Sequence, residues 1–548
     1  MRTLLVLLGF WIGLGNHAWA YPWIPMPVHH RYLPGNSPLP GPGLQLDYRL
    51  LDGRTQVQNW VGDIQQKSMA WDVGMPLILR VDSFRPEDAV ELMELGITSD
   101  WQWEEAYVLI LSQGTATIRA QAPKGLYYAT RTLLQMLESD SMRSLGTLPA
   151  VQVWDFPRFA WRGMHLDVAR HFWEPDKIQQ YLLWMSRYKM NVFHWHLTDD
   201  QGWRLEVPEF PGLTTVSAWR SATLRGRPVD VEDSLLYRHE KHGGYYTEAE
   251  IRAIVGFADS LGIRVVPEIE MPGHARAALA AYPALSCRAD SQGVPGHWGV
   301  FEDVFCAGNE ATFHFLTRVL DYVARIFPDS VIHIGGDECP KTRWESCALC
   351  QQRMRTHDLE DAHALQSWFM SRVIKHLSSK GKTAIGWDEI LEGGLPEGAA
   401  VMSWRGTEGG KAAARAGHAV VMSPGKPCYF DHYQHSGPDE PLAIGGLNRL
   451  EDVYAYEPVP TGLELSAIPW IQGAQGNVWT EYMTTWEQVE YMVLPRMTAL
   501  AEVLWSPALN RSVGRERTFE HYRDRLREHS LWMKEQGLRF APHGWDPY

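Results

Sequence analysis

The stretch VIHIGGDECP, residues 331–340, places an apolar run, two glycines and two adjacent acids in direct succession. The apolar run is typical of a buried strand, and the glycines end it. Asp337 and Glu338 then suggest acid and base chemistry on a sugar, which pairs of carboxyl groups often perform. Adjacent residues of a strand, however, point to opposite faces. These two acids are therefore poorly placed to act from either side of one bond.

Apolar segments of this kind occur eight times from Trp161 onward, and helical periodicity lies between many of them. Strands that alternate with helices predict a parallel sheet, and eight such units predict a (β/α)₈ TIM barrel. The predicted strands are RGMHLDVA, NVFHWHLT, IRVVPEIE, VIHIGG, TAIGWDE, AVMSWRG, HAVVMSP and IQGAQGNVW. Polar residues end most of them, where that fold places its catalytic groups.

The predicted fold class is therefore α/β, with the barrel and its C-terminal helices over residues 156–548. A smaller α+β domain is expected over residues 21–155, because the segment AYVLILSQGTATIRAQAPKGLYYATRTLLQML reads as strand, turn, strand and helix. Its first part, residues 21–45, is rich in Pro and Gly and predicts an extended lead-in.

The first twenty residues, MRTLLVLLGFWIGLGNHAWA, predict a signal peptide, residues 1–20. Arg2 precedes an apolar run, and Ala18 and Ala20 form a small-x-small cleavage site. An uncleaved membrane anchor is the alternative, although the run is short for a span. We expect an exported protein, either periplasmic or secreted.

Composition narrows the class of partner. The formal net charge of −14 argues against nucleic acid and anionic membrane surfaces, both of which favour basic patches. The 25 Trp residues offer flat apolar faces that suit sugar rings, and packing in the core is the alternative use for many of them. Oligomeric state is not predicted.

Six cysteines are present. Cys287 and Cys306 bracket a segment with Gly and Pro, and we expect a loop-closing disulfide there. Cys347 and Cys350 have the spacing of half a zinc site, but no second pair stands at finger spacing. Disulfides or free thiols are therefore favoured for the remaining cysteines.

Five motifs occur in the order and on the strands expected of one enzyme family: MHLDVARHF, HWHLTDDQGWRLE, VVPEIEMPGH, HIGGDE and NVWTE. Together they resemble family 20 glycoside hydrolases, the β-N-acetylhexosaminidases, over roughly residues 100–510. The resemblance implies an exo-acting, retaining enzyme that removes terminal β-linked GlcNAc or GalNAc from an oligosaccharide. It implies neither a cofactor nor a metal.

The family mechanism would explain the adjacent acids. The 2-acetamido oxygen of the substrate attacks its own anomeric carbon, so no protein nucleophile is needed. The resemblance implies that Glu338 protonates the leaving oxygen and later activates water, whereas Asp337 accepts a hydrogen bond from the acetamido N–H. Capping of the next helix is the structural alternative for both acids.

The resemblance implies further roles. Asp199 and His274 would form a pair that tunes the pKa of the acid, Glu338. For Arg170, a salt bridge at the barrel rim is the alternative to substrate binding. The residues implied in substrate binding are Arg170, Trp368, Trp387, Tyr429, Asp431, Trp479 and Glu481. His194 and His196 face one way on a strand, but a zinc site there is disfavoured.

One departure from the family pattern is Glu270, where an Asp is usual. Residues 214–244 also form a long segment, predicted to be a surface loop of undefined role. A disaccharide-releasing relative, a sugar-binding barrel without activity and a chitinase-type barrel are the competing hypotheses. The last is disfavoured because the chain has no D-x-x-D-x-D-x-E run.

Overall fold

A six-stranded mixed sheet forms the N-terminal domain. The computed structural model describes residues 22–38, 40–48, 75–227, 229, 231–290, 292–394, 398–508 and 518–545, so the predicted signal peptide lies outside it. The sheet order is β1-β6-β4-β5-β3-β2. The neighbouring pairs β1–β6, β6–β4 and β4–β5 are antiparallel, whereas β5–β3 and β3–β2 are parallel. The strands are β1 (His29–Pro38), β2 (Pro40–Tyr48), β3 (Met75–Asp82), β4 (Tyr107–Ser112), β5 (Thr115–Ala120) and β6 (Thr147–Asp155). Its α-helices within the described residues are Pro86–Glu94, Asp100–Glu105, Pro123–Glu138 and Asp140–Leu145.

The helix Pro123–Glu138 lies between this sheet and the rest of the protein. Every side chain from Gly125 to Leu137 is buried. On the far side of the helix, Tyr128 accepts a hydrogen bond of 2.9 Å from Arg162 at the start of the barrel. A shared helix of this kind holds the two domains as one packed unit.

Eight parallel strands close into a barrel in the order β15-β16-β17-β18-β19-β20-β7-β8, which confirms the predicted TIM fold. The strands that follow β6 are β7 (Trp161–Asp167), β8 (Val192–His196), β9 (Thr198–Asp199), β10 (Gly202–Trp203), β11 (Trp219–Arg220), β12 (Thr223–Leu224), β13 (Tyr237–Arg238), β14 (His242–Gly243), β15 (Arg264–Met271), β16 (Val331–Gly335), β17 (Thr383–Trp387), β18 (Ala400–Ser403), β19 (Val420–Met422) and β20 (Ile471–Gly476). Side chains such as Val192, Val266, Ile385 and Met402 fill the interior.

Helices surround the barrel, and several begin at capping residues that the sequence supplies. Thr247 and Glu250 form a reciprocal capping box at the start of Glu248–Ser260, and Asp361 caps Ala362–Ser379. The α-helices described after β7 are Pro175–Arg187, Gly212–Thr215, Glu248–Ser260, Arg276–Ala281, Glu310–Ile326, Thr342–Ser346, Ala348–Thr356, Ala362–Ser379, Glu408–Arg415, Gly425–Cys428, Leu450–Tyr454, Trp486–Val493, Arg496–Trp505 and Phe519–Glu535. Within the described residues, none of the helices combines the length and the apolar character needed to cross a membrane.

The segment from residue 22 to 28 packs against the last described helix. Arg525 of that helix donates to the carbonyl of Trp23 and forms a buried ion pair of 2.6 Å with Glu502. Glu502 in turn accepts a hydrogen bond of 3.0 Å from the backbone N–H of Met26. Part of the predicted Pro/Gly-rich lead-in is thus a buried strap against the C-terminal helix.

Candidate active site

The two acids lie just beyond β16, which ends at Gly335. The backbone turns there, with a φ of 43° at Glu338, so the two acids do not lie on an extended strand as the sequence pattern predicts. Nε2 of His274 lies 3.5 Å from Oδ2 of Asp337 and 3.6 Å from Oε2 of Glu338. The Glu338 side chain is 42% exposed and that of Asp337 only 11%. One acid therefore faces an opening and the other faces the interior of the site.

The glycines before the acids make room for a neighbouring side chain. Gly335 has a φ of 62°, and a Cβ at this position would lie 1.8 Å from Oε2 of Glu270. A Cβ on Gly336, whose φ is 102°, would lie 2.6 Å from Ile390. Only glycine allows both the backbone angles and these approaches.

His274 follows β15 and bridges two groups of carboxylates. Its Nδ1 lies 3.0 Å from Oδ2 of Asp200 and 3.3 Å from Oδ1 of Asp199. Burial opposes the charged form, but Asp199 and then Asp337 outweigh it and raise the pKa of His274 well above its usual value. Asp200 is thus the nearer partner of His274, although the sequence interpretation did not assign it to catalysis. Its place directly after Asp199 is the only sign in the sequence that it belongs to the site.

Arg170 lies three residues beyond β7 and forms an ion pair with Asp199 at 2.9 Å. Asp167 accepts from the same guanidinium at 3.2 Å, and Gln201 accepts from its Nε at 3.1 Å. Burial opposes ionisation of Asp199, but Arg170 holds the pKa of this carboxyl well below its usual range. Asp199, Asp200 and His274 cluster closely enough to be considered for a metal, but a cation there would meet the guanidinium directly.

A buried polar layer lies beneath these groups inside the barrel. Glu268 accepts hydrogen bonds from His196 and, at 2.9 Å, from the indole N–H of Trp387. Its carboxylate also lies 2.9 Å from Nε2 of His194 and 2.8 Å from Nδ1 of His333. Nε2 of His196 lies 2.9 Å from Asp199. Burial would lower the pKa of His196, but the carboxylates on both sides raise it to about 10. A buried imidazolium therefore connects the barrel interior to Asp199.

Aromatic side chains stand on the other side of the acids. The rings of Trp387 and Trp479 lie 5.8 Å apart, and the ring of Tyr429 lies 6.5 Å from Trp479. Trp404, at the end of β18, is stacked on Tyr429 at 6.1 Å with an interplanar angle of 23°. Its indole N–H donates to Glu389 at 2.9 Å, and burial next to Asp337 raises the pKa of Glu389 to about 8. The structure brings Trp387, Trp479 and Tyr429 together as expected and adds Trp404 to them.

Trp368 is not part of this wall, and its expected place there is corrected. It lies on the helix Ala362–Ser379 outside the barrel, where it packs edge-on against Phe313 at 5.4 Å. His357 lies 4.8 Å from its ring and the guanidinium of Arg353 lies 4.7 Å from it. Trp368 therefore stabilises the contact between outer helices.

Two further carboxyl groups lie on the Arg170 side of the site. Nη1 of Arg170 lies 3.8 Å from Oε1 of Glu481. Asp431 is buried, and Oδ1 of its carboxyl has no hydrogen-bond partner among the described residues. Burial, followed by the charge of Glu481, raises the pKa of Asp431 well above its usual value. Both carboxyl groups are available to polar groups of a ligand.

Glu270, the departure from the family pattern, is a buried carboxyl group beneath the acidic pair. Both of its oxygens lack a hydrogen-bond partner among the described residues, and it is 2% exposed. Burial, and then the charge of Asp337, raise the pKa of Glu270 well above its usual value. The surroundings of Glu270 therefore favour the protonated, uncharged form of its carboxyl group.

A depression of about 280 Å³ adjoins the exposed side of Glu338. Charged and polar groups line it, among them Glu338, Lys341, His363, Glu389, Glu392 and Arg405. Trp387, Trp404, Tyr429 and Trp479 do not line it.

The segment 214–244 forms two small hairpin-like pairs, β11 with β14 and β12 with β13. Arg227 extends from it to donate to the carbonyl of Ile444 at 2.9 Å and to the Tyr433 hydroxyl at 3.3 Å. The predicted surface loop thus contacts the segment that follows Asp431.

The predicted Cys287–Cys306 disulfide is absent from the structure, because all six cysteines are free. Cys339 and Cys428 are buried near the site. The other four lie together, as described below.

Two family models match the chain. Glycosyl hydrolase family 20, catalytic domain, matches residues 159–508, and Glycosyl hydrolase family 20, domain 2, matches residues 21–156. A solved exo beta-N-acetylglucosaminidase of Vibrio harveyi in complex with N-acetylglucosamine has a TM-score of 0.79 at 29% identity, covering 95% of this chain and 78% of that one. A beta-N-acetylhexosaminidase of Streptomyces coelicolor has a TM-score of 0.78 at 26% identity, covering 96% and 99%.

Curated relatives agree with this class. A beta-hexosaminidase of Porphyromonas gingivalis is 45% identical over 410 residues, which are 74% of this chain and 51% of that protein. A beta-hexosaminidase of Vibrio furnissii is 37% identical over 402 residues, 73% of this chain and 65% of that protein. The chain thus spans about half of the first relative and somewhat less than two thirds of the second. The barrel and its acidic pair define a glycoside hydrolase. The chain belongs to glycosyl hydrolase family 20.

Proposed function

We propose that this protein removes terminal, non-reducing β-linked GlcNAc or GalNAc residues with retention, using the 2-acetamido group of the substrate as nucleophile. One observation carries the proposal. Asp337 and Glu338 are successive residues that both approach the same imidazole, that of His274. Two carboxyl groups on one short segment do not enclose a sugar from opposite faces, as a protein nucleophile and an acid would. A nucleophile supplied by the substrate removes that requirement.

In the first step, the acetamido oxygen attacks the anomeric carbon while Glu338 gives its proton to the leaving oxygen. Asp337 accepts a hydrogen bond from the acetamido N–H and stabilises the positive charge that develops on the ring being formed. Tyr429 donates to the attacking oxygen and aims it. Its ring is fixed by Trp404 on one side and by Trp479 on the other.

In the second step, Glu338 acts as a general base and takes a proton from the water that opens the oxazolinium-type intermediate. His274 supports this role because its raised pKa keeps the imidazole charged. The charged imidazole of His274, 3.6 Å away, lowers the pKa of Glu338, which favours the ionised form that accepts a proton.

The arrangement suits the end of a glycan. Arg170, Asp431 and Glu481 would bind the ring hydroxyls on the closed side. Trp387, Trp404 and Trp479 would enclose the acetamido methyl group and the ring, since apolar faces favour such contacts. The leaving part of the substrate would extend past Glu338 into the depression of about 280 Å³.

We also propose export to the periplasm or the medium. The proposal rests on the signal-type sequence of residues 1–20. N-terminal sequencing of the mature protein tests it, and Tyr21 is the expected first residue.

The activity is tested with aryl glycosides of GlcNAc, GalNAc and glucose. Hydrolysis of the two acetamido sugars, with none of the glucoside, is the expected result, because glucose lacks the internal nucleophile. Proton NMR of the first product should show the β-anomer. Equal hydrolysis of the glucoside, or a covalent adduct with a 2-fluoro sugar on an Asp or Glu, would refute the proposal.

A further inference from the structure

Four cysteines from two distant parts of the chain meet at one point. Cys287 and Cys306 come from the segment after His274, and Cys347 and Cys350 come from the segment after Glu338. Their sulfurs all lie within 4.8 Å of one another. We propose that these four sulfurs bind one zinc ion, in a structural site separate from the catalytic groups.

The distances between the sulfurs are those of a tetrahedron around zinc. A zinc–thiolate bond of about 2.3 Å in tetrahedral geometry places neighbouring sulfurs about 3.8 Å apart. The Cys287–Cys350 and Cys306–Cys347 pairs are each 3.8 Å apart, and the Cys306–Cys350 pair is 3.6 Å apart. A single metal ion thus fits the space that these sulfurs enclose.

The same distances favour a metal over two disulfides. Cys350 approaches both Cys287 and Cys306, and Cys306 approaches both Cys347 and Cys350. No two sulfurs stand apart as a bonded pair, for which a separation of about 2.05 Å is required. A shared centre explains why the sulfurs of Cys306 and Cys350 each have two neighbours, at 3.6 and 3.8 Å.

Backbone contacts build the first half of the site. Ser286 and Phe305 form an isolated antiparallel bridge, and the N–H of Cys306 donates to the carbonyl of Leu285 at 2.8 Å. This pairing sets Cys287 and Cys306 side by side even though a long loop separates them in the sequence. The two cysteines that the sequence predicts to be neighbours are therefore adjacent in the structure, although no disulfide joins them.

The second half is the start of a short helix. Cys347 is the N-cap of Ala348–Thr356, and Cys350 lies in its first turn, so both side chains reach the same side. Gly308 lets the two halves meet: a Cβ there would lie 2.1 Å from the backbone carbon of Leu349. Such close backbone contact fixes the positions of the sulfurs before any ion binds.

The surroundings suit a structural ion. Cys306 is 1% exposed and Cys350 is fully buried, while Cys287 and Cys347 are half-buried. Four protein thiolates complete the coordination of zinc, so no position is left for a substrate or water. The site is closed in this sense and would stabilise the fold rather than take part in the reaction.

Its position gives the site a mechanical role. The zinc would join the loop that begins at His274 to the loop that begins at Glu338. Other contacts along the same seam are the N–H of Phe305 with the carbonyl of Pro272 at 2.9 Å, and the indole N–H of Trp344 with the carbonyl of Phe305 at 2.9 Å. The ion would thereby keep the distance between the His274 imidazole and the Glu338 carboxyl group fixed.

Metal analysis of the purified full-length chain tests the proposal. About one zinc ion per chain is expected after dialysis against a weak chelator. Replacement by Co²⁺ should give the intense visible bands of a tetrahedral thiolate site together with a thiolate-to-metal charge-transfer band. Zinc-free protein that binds neither Zn²⁺ nor Co²⁺ when reduced would overturn the proposal.

Variants locate the site. Cys287→Ser and Cys347→Ser, one from each half, should each lose the bound zinc and the cobalt charge-transfer band. Cys428→Ser changes a buried cysteine outside the cluster and should keep about one zinc ion per chain. Loss of zinc from all three variants alike, or from none, would contradict the assignment.

Peptide mapping under non-reducing conditions decides between the metal and oxidation, since export would expose the thiols to an oxidising compartment. Four free thiols in the zinc-loaded protein are expected. Disulfides among Cys287, Cys306, Cys347 and Cys350 in freshly purified protein, without metal, would overturn the proposal. Hydrogen exchange supplies an independent readout, because zinc removal should increase exchange over residues 338–350.

Discussion

The Nε2 atom of His274 lies 3.6 Å from the Oε2 atom of Glu338. The pKa of His274 is raised well above its usual value, and the approach of its imidazole lowers the pKa of Glu338. A charged imidazole therefore controls the protonation of the proposed acid. Because the first step needs protonated Glu338, kcat/KM should fall as pH rises through the pKa of this group.

Replacement of His274 by Gln should move that alkaline limb to higher pH, because the pKa of Glu338 rises when the imidazolium is gone. The value of kcat/KM should also be lower at every pH, because His274 no longer positions the Glu338 side chain. The pH dependence of kcat/KM on an aryl GlcNAc glycoside measures both effects. His376→Gln is the matched control, because His376 pairs with Asp321 at 2.9 Å on an outer helix. A limb that stays in place or moves to lower pH would contradict the assignment.

Replacement of Glu338 by Gln should reduce turnover by about 10²–10⁴-fold on substrates with poor leaving groups. Activated aryl glycosides should suffer much less in the glycosylation step, because a good leaving group needs little protonation. Comparison of kcat/KM for a series of leaving groups measures this difference. Equal losses across the series would argue against a general acid at this position.

Replacement of Asp337 by Asn keeps the size of the side chain and removes its charge. A thiazoline derivative of GlcNAc resembles the cyclic intermediate and should bind the wild type far more tightly than substrate does. The variant should bind it roughly 10- to 100-fold more weakly, because a charge-assisted hydrogen bond contributes about 1.5–3 kcal/mol. Inhibition constants and single-turnover rates should change together. Unchanged thiazoline binding would show that Asp337 does not contact the acetamido group.

Replacement of Trp404 by Ala should lower kcat/KM by about 10-fold, since an aromatic contact is worth up to about 1.5 kcal/mol. Trp368→Ala is the matched control. It should leave kcat/KM unchanged and lower only the thermal midpoint, because Trp368 packs on Phe313 outside the barrel. A larger kinetic effect of Trp368→Ala than of Trp404→Ala would reverse the assignment.

Replacement of Glu270 by Gln should stabilise the protein increasingly as pH rises. The folded protein keeps a proton that the unfolded chain releases above a pH of about 4.3. Glu270 therefore lowers the free energy of unfolding of the wild type by about 1.4 kcal/mol for each pH unit from that pH up to its own folded-state pKa. Glutamine has no proton to release, so the difference in thermal midpoint between variant and wild type should grow with pH. Glu345→Gln, at an exposed position, should show no such trend.

The strands of the barrel were predictable because each is a short apolar run with a polar tail, and all eight form in the structure. The aromatic wall was harder to predict. The segment around Trp368 has helical periodicity, and helices lie outside a barrel, whereas Trp404 lies in the tail of the sixth predicted strand, AVMSWRG. The predicted element type, helix or strand, therefore distinguishes Trp368 from Trp404 correctly, whereas the motif resemblance did not.

Other features depend on contacts between distant residues. Asp200 becomes the nearer partner of His274 only through the turn after β8, and the pairing of Cys287 with Cys350 depends on how two loops meet. Neither the spacing nor the composition of a single segment encodes such contacts. The turn at Glu338 is a similar case, because its φ of 43° departs from the extended backbone that the preceding apolar run predicts.

The contact between Trp23 and Arg525 joins residues 502 positions apart in the chain. Closing so large a loop costs conformational entropy, and the stabilising contacts that offset this cost form only when the last described helix is in place. During synthesis, Ile24 can pair with Gln135 early, whereas the partner of the Trp23 carbonyl, Arg525, emerges hundreds of residues later. The contact between Trp23 and Arg525 can therefore form only after the barrel strands between them have been synthesised.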